Sequence, residues 1–148
     1  MTTIFHPPSV NPHVTLEDIS QHICMTVTDI LKTLQNVQIG MASGSINADG
    51  PVYKKRNIKK LIAFTQFLEK RVSFPVFCAS YFFTDNVYKH FERQNITYDD
   101  YMLFWRKILL SGIVTDLFMM SGWERSQGAQ DEYETAKKCN IVIHIESA

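Results

Sequence analysis

From Leu16 onward the apolar residues fall three and four apart. In "TLEDISQHICMTVTDILKTLQ" the positions Leu16, Ile19, Ile23, Val27, Ile30, Leu31 and Leu34 share one stripe of a predicted helix. Thr15 and Asp18 stand where a capping pair opens such a helix, with aspartate in place of the usual Glu or Gln. The segment ahead of it, "MTTIFHPPSVNPHV", holds three prolines and reads as an irregular arm. Beyond the helix, "VQIGMASGSI" reads as a short buried strand entering a glycine–serine loop, which "NADGPVYKK" prolongs with Asp49, Gly50 and Pro51. Helical spacing returns in "NIKKLIAFTQFLEKR", through Ile58, Leu61, Ile62, Thr65 and Leu68. The aromatic and β-branched run "FPVFCASYFF" predicts a strand, with Pro75 near its start. Two helices follow, around "DNVYKHFER" and "YDDYMLFWRKILLSG". The chain closes on a strand "IVTDLFMM", a polar loop and helix start "SGWERSQGAQDEYETA", and a last strand "NIVIHI".

Strands that are continuous apolar runs and alternate with helices predict a parallel sheet covered on both faces. The expected fold is a small doubly wound α/β domain of the Rossmann or flavodoxin kind over residues 36–148. Residues 1–35 add the arm and the amphipathic helix, whose stripe either packs on the sheet or forms a subunit contact. In such sheets ligands bind beyond the carboxyl ends of the strands, where strand order reverses. Two polar loops leave strand ends, "SGSINADG" and "SGWERSQG", and both are expected to open onto one cleft.

At 148 residues the chain has the length of one domain, and 45% hydrophobic with 20% charged residues is ordinary for a globular one. Fifteen basic and fifteen acidic residues leave no field to draw it onto nucleic acid or an anionic membrane. Neither is expected as a partner. Cys24, Cys78 and Cys139 show no paired spacing and sit among apolar residues, which reads as free thiols in a reducing, cytoplasmic setting. No apolar run approaches the roughly 18 residues of a membrane span, and the start lacks a signal-peptide pattern. The five histidines show no metal spacing, so neither metal nor cofactor is expected.

Candidate chemistry concentrates in the two loops. Gly44, Ser45 and Gly50 suit either a tight turn or ligand contact. Lys54, Lys55, Arg56, Lys59 and Lys60 form either a solvated face or an attraction for phosphate. Ser126 stands at a helix N-cap position and Gly128 permits close backbone approach, where unpaired N–H groups seat an anion. Gly128, Glu132 and Ala136 recur every four residues on one face, leaving room beside Glu132. A carboxylate so placed suits a nucleophile toward a sugar's anomeric carbon. Asp131, Glu132 and Glu134 also simply favour the helix dipole. Asp116 reads as a structural cap or a cleft residue, and Trp123 as a base-stacking ring or a lid over the core.

The stretch "TDLFMMSGWERSQGAQDEYETA" resembles the signature of the nucleoside 2-deoxyribosyltransferase-like superfamily, in particular its bacterial and phage members of uncharacterised function. The matching positions are Asp116, Gly122, Trp123, Ser126, Gly128, Ala129, Glu132 and Ala136. "GSI" at Gly44, Ser45 and Ile46 is similar to the substrate loop of that superfamily's deoxynucleoside 5′-monophosphate N-glycosidases. The resemblance runs from about Val37 to Ile145. It implies that Glu132 attacks the anomeric carbon and releases the base. It further implies that Ser126 binds the 5′-phosphate, that Gly128 donates its backbone N–H, and that the Gly44–Ile46 loop surrounds sugar and phosphate. Characterised members carry an aspartate eight residues before the position of Asp116; Ile108 stands there, with Asp99 and Asp100 the nearest carboxylates upstream.

The expected function is cleavage or transfer of the N-glycosidic bond of a nucleotide, in a homo-oligomer, with a nucleotide or nucleoside as its small-molecule partner. The rival is a non-catalytic nucleotide-binding or sensing module of the same fold. A structural subunit assembled through the N-terminal helix is the third reading.

Overall fold

The computed structural model describes residues 5–34 and 38–146, the side chains of 31–34 apart. Leu31 and Leu34 of the stripe, and Val37 ahead of the first strand, therefore lie outside the described side chains and residues. In chain order the elements are α1 (Leu16–Leu34), β1 (Gly40–Ser43), α2 (Lys54–Arg71), β2 (Val76–Cys78), α3 (Ala79–Phe82), α4 (Asp85–Arg93), α5 (Tyr98–Leu110), β3 (Asp116–Met119), α6 (Gln127–Lys138) and β4 (Val142–Ile145). Single 3-10 turns at Pro51–Tyr53 and Trp123–Arg125 sit in the two polar loops.

The four strands form one all-parallel sheet in the order β2-β1-β3-β4. Gly40 pairs with Val76 on one side and Asp116 on the other, and Asp116 pairs in turn with Val142. β1, β2 and β3 are buried throughout, as continuous apolar runs flanked by helices require, whereas edge strand β4 is largely exposed. On one face α2 presses Leu61, Phe64 and Leu68 onto Ala42, Val76, Cys78 and Phe118. On the other face Met41, Phe77, Leu117 and Met119 meet α1, α5 and α6 through Ile19, Ile23, Val27, Ile108, Leu109, Ala129 and Ala136. The chain is a small doubly wound α/β domain with an added N-terminal helix.

One open alternative is decided and one expectation is corrected. The apolar stripe of α1, read either as packing on the sheet or as a subunit contact, is buried in the core of its own chain through Ile19, Ile23, Val27 and Ile30. The cap that opens it forms as read: Asp18 N–H donates to Thr15 Oγ1 and Thr15 N–H to the Asp18 carboxylate. Even the proline-rich arm takes part, with Phe5 packing on Phe77 and Phe82. Second, the run "FPVFCASYFF" is strand only from Val76 to Cys78 and turns into α3. Phe82 and Phe83 stay fully buried there, so their aromatic composition reports the core and not the sheet.

Among the described residues no helix is long and apolar enough to cross a membrane. The three cysteines are free; burial pushes the Cys78 thiol up to about 11.

Candidate functional site

Because β1 feeds α2 toward β2 and the chain later returns to β3 on its other side, strand order reverses between β1 and β3. A cleft of about 390 Å³ opens there, at the carboxyl ends of the strands. One wall is polar. Ser43 ends β1, Gly44 and Ile46 follow it, and Ser126, Gly128 and Glu132 come from α6. The opposite wall is largely aromatic, built by Tyr88 on α4 and by Tyr98, Tyr101, Met102 and Trp105 on α5.

Local sequence explains each placement. A Cβ at Gly44 would lie 2.6 Å from the Met120 methyl and 3.1 Å from the Met120 Cβ, so a larger residue here would have to push the Met120 side chain aside. Ser126 caps α6 by accepting the Ala129 N–H at 3.2 Å. The Gly128 N–H donates to the Tyr98 hydroxyl at 2.8 Å, and a Cβ at 128 would lie 2.9 Å from that oxygen. This amide is thus shared with a phenol across the cleft and is not an open donor. Asp49 ties the two loops together, accepting from Asn57 at 3.0 Å and from Arg125 at 2.6 Å, bonds that hold its carboxyl below the usual range.

Glu132 lies deep in the cleft, one turn along α6 from Gly128. Burial pushes its carboxyl up to about 7, against the Ser43 hydroxyl, which donates to Glu132 Oε2 at 2.5 Å and favours the ionised form. The neighbouring Asp131 adds a smaller upward push, although Arg106 pairs with it at 2.6 Å. Burial also raises Tyr88 strongly and Tyr101 up to about 12, so both phenols stay protonated hydrogen-bond donors at neutral pH. A charge-assisted bond such as Ser43–Glu132 stabilises the carboxylate by about 1.5–3 kcal/mol. Ser43→Ala is therefore expected to move the Glu132 titration upward by about one pH unit or more. Carbon-detected NMR of the glutamate carboxyls reads this directly, and an unmoved midpoint would show that the hydroxyl does not govern Glu132.

The structure brings Gly44, Ile46, Ser126, Gly128 and Glu132 round one cleft. It does not bring the other four sequence candidates into the lining. Asp116 begins β3, at the amino end of the sheet, where it binds Thr115 at 2.7 Å and His144 at 2.9 Å; the parallel strand puts its far end, not Asp116, at the cleft. Trp123 stacks on Tyr133 with ring centroids 4.7 Å apart, outside the cleft. Gly122 takes the left-handed backbone of a turn, φ 89°, against Arg125. Ser45 is buried beneath the loop, its hydroxyl without a hydrogen-bond partner among the described residues. Of the basic run, Lys54 alone lines the cleft, its Nζ 4.4 Å from the Tyr88 ring centroid. Arg56 instead pairs with Asp49 at 3.4 Å. Ile108 is buried in the core and does not line the cleft. Asp100 closes the capping box of α5 with Thr97, and Asp99 does not line the cleft. Among the described residues no group of three or more His, Cys, Asp or Glu side chains is placed to hold a metal ion.

Sequence reasoning missed Ser43 and the aromatic wall. Tyr98, Tyr101, Met102 and Trp105 do recur at helical spacing, but that spacing looks the same for a core face as for a cleft wall.

A family model described as a domain of unknown function (DUF4406) matches residues 87–145. That stretch runs from α4 to β4 and includes the whole aromatic wall together with Ser126, Gly128 and Glu132, but not β1 and its loop. No curated protein and no solved structure matches the chain.

Proposed function

We propose that this protein cleaves or transfers the N-glycosidic bond of a nucleoside 5′-monophosphate, with Glu132 as nucleophile. The observation that carries the reading is the pairing of a carboxylate held by Ser43 at 2.5 Å with an aromatic wall across the same cleft. A sugar against Glu132 leaves a flat base to lie on the rings. The resemblance of the Asp116–Ala136 stretch to the nucleoside 2-deoxyribosyltransferase-like superfamily supports the same roles.

In the chemistry proposed, a Glu132 oxygen forms a bond to the anomeric carbon as the carbon–nitrogen bond breaks. The base leaves with that bond's electron pair and takes a proton from water in the cleft. Water then hydrolyses the glycosyl ester, or a second base accepts the sugar. The 5′-phosphate lies toward Ser126 and the start of α6, where the helix dipole favours negative charge. Serine there, in place of a carboxylate, favours a phosphate over a free 5′-hydroxyl.

A non-catalytic nucleotide-binding module is the second reading. It is favoured by Ile108 pointing into the core, which leaves no carboxylate at the position that characterised members use near the base. One experiment separates the two: incubation with a panel of nucleosides and their 5′-monophosphates, with free base followed by chromatography and binding by calorimetry. Base release from monophosphates, bound about tenfold more tightly than nucleosides, is expected. Binding without release selects the second reading, and binding of neither class removes both.

A further inference from the structure

Resting on the nucleotide reading above, we infer that the cleft selects a base carrying an exocyclic amino group and that Glu92 reads it. The two walls of the cleft differ in chemistry. Ser43, Glu132 and Ser126 on one side suit a sugar and its phosphate. The wall formed by α4 and α5 is left for the base. There Tyr88 and Tyr101 meet edge to face, 5.5 Å between centroids, and line the cleft with aromatic surface, one face of Tyr88 lying under Lys54 Nζ.

Glu92 lies one helical turn beyond Tyr88 on α4, so the two project to the same side, and both line the cleft. Its carboxylate is near enough to Tyr101 to add to the upward push that burial and Asp100 exert on that phenol. Among the described residues it makes no hydrogen bond or ion pair. Glu92 and Glu132 are the two acidic residues of the lining, and Glu132 is committed to the sugar.

A carboxylate accepts hydrogen bonds and donates none. The edges of cytosine, adenine and guanine offer it the N–H groups of an exocyclic amine, and guanine adds a ring N–H beside them. Thymine and uracil offer one ring N–H flanked by carbonyl oxygens, so one carboxylate oxygen faces another oxygen across the gap. Glu92 sits at the rim, where water screens the difference, and a preference of about five- to tenfold follows.

The test is calorimetric titration of the full chain carrying Glu132→Gln, which binds without turnover, with dCMP, dAMP, dGMP, dTMP and dUMP. It is repeated with Glu92→Gln added. The amine-bearing monophosphates are expected to bind about five- to tenfold more tightly than the other two. With Glu92→Gln the gap is expected to close to within about twofold, because a carboxamide donates as well as accepts. Glu92 is exposed, so this substitution leaves the fold intact, which a melting curve checks. Equal affinity across the five ligands with Glu92 in place overturns the inference and leaves the nucleotide reading standing. A preference that survives Glu92→Gln overturns it as well. Binding of none of the five removes the nucleotide reading and this inference together.

Discussion

Glu132→Gln is expected to lower base release at least about a thousandfold while making the folded protein more stable above neutral pH. The loss follows from chemistry: a carboxamide has no anionic oxygen to give to the anomeric carbon. The gain follows from burial. The native carboxyl is pushed up to about 7 from an ordinary value of 4.5, so the native state holds its proton more firmly than the unfolded chain does. This group therefore contributes its full stability below about pH 4.5 and loses it as pH rises through 7, because the folded protein must then ionise a desolvated acid. Glutamine removes that penalty. A shift of this size corresponds to about 3 kcal/mol, and the part of Glu132 still open to cleft water lowers it, so a gain of about 1–3 kcal/mol at pH 8 is expected. At pH 5 most of the gain is absent. Urea denaturation of both proteins at the two pH values measures it, and equal stability at pH 8 would mean that Glu132 is not held against its solvation. Base release by the native protein is expected to rise through about pH 7 as Glu132 ionises.

Such a trade of stability for a charged group in a dry place is common where a site does chemistry. The sequence spacing of Gly128, Glu132 and Ala136 pointed to it because a helix has fixed periodicity and small neighbours leave space. The strand–helix alternation pointed to the parallel sheet in the same way, since strands buried on both faces have to be apolar throughout. What escaped the sequence depends on direction and on distant partners. Asp116 begins β3 and Met119 ends it, yet a linear string does not say which end of a strand faces the ligand until the neighbouring helices are placed. Ser43 is one of two serines in "MASGSI", and only the register of β1 beside β3 and α6 brings it to Glu132. Trp123 carries an apolar ring and one N–H, equally suited to a base or to Tyr133; the turn at Gly122 directs it to Tyr133. Ile108 shares a helical face with Tyr101 and Trp105 of the cleft wall, but lies two turns and one turn further along α5, where that face is buried in the core.

Ile23→Asp is expected to abolish cooperative folding, whereas Met25→Asp, two residues away, is expected to leave it unchanged. Ile23 is 0% exposed and Met25 67% exposed, so the pair compares the two faces of α1 at one depth along the helix. At position 23 the substitution removes a fully buried aliphatic side chain, worth about 1.5–3 kcal/mol of burial. It also leaves an unpaired carboxylate among Ile19, Val27, Phe77 and Leu117, all buried in the same cluster. The desolvation of that charge adds several kcal/mol, and the sum is comparable with the whole stability of a domain, about 5–15 kcal/mol. The same pair distinguishes core packing from assembly. A stripe that served as a subunit contact would yield, with Ile23→Asp, a folded monomer with its cleft intact. A stripe that completes the core yields a chain without a melting transition. Circular dichroism melting together with sedimentation velocity separates these outcomes, and a folded, dissociated Ile23→Asp chain would return α1 to the surface of an oligomer.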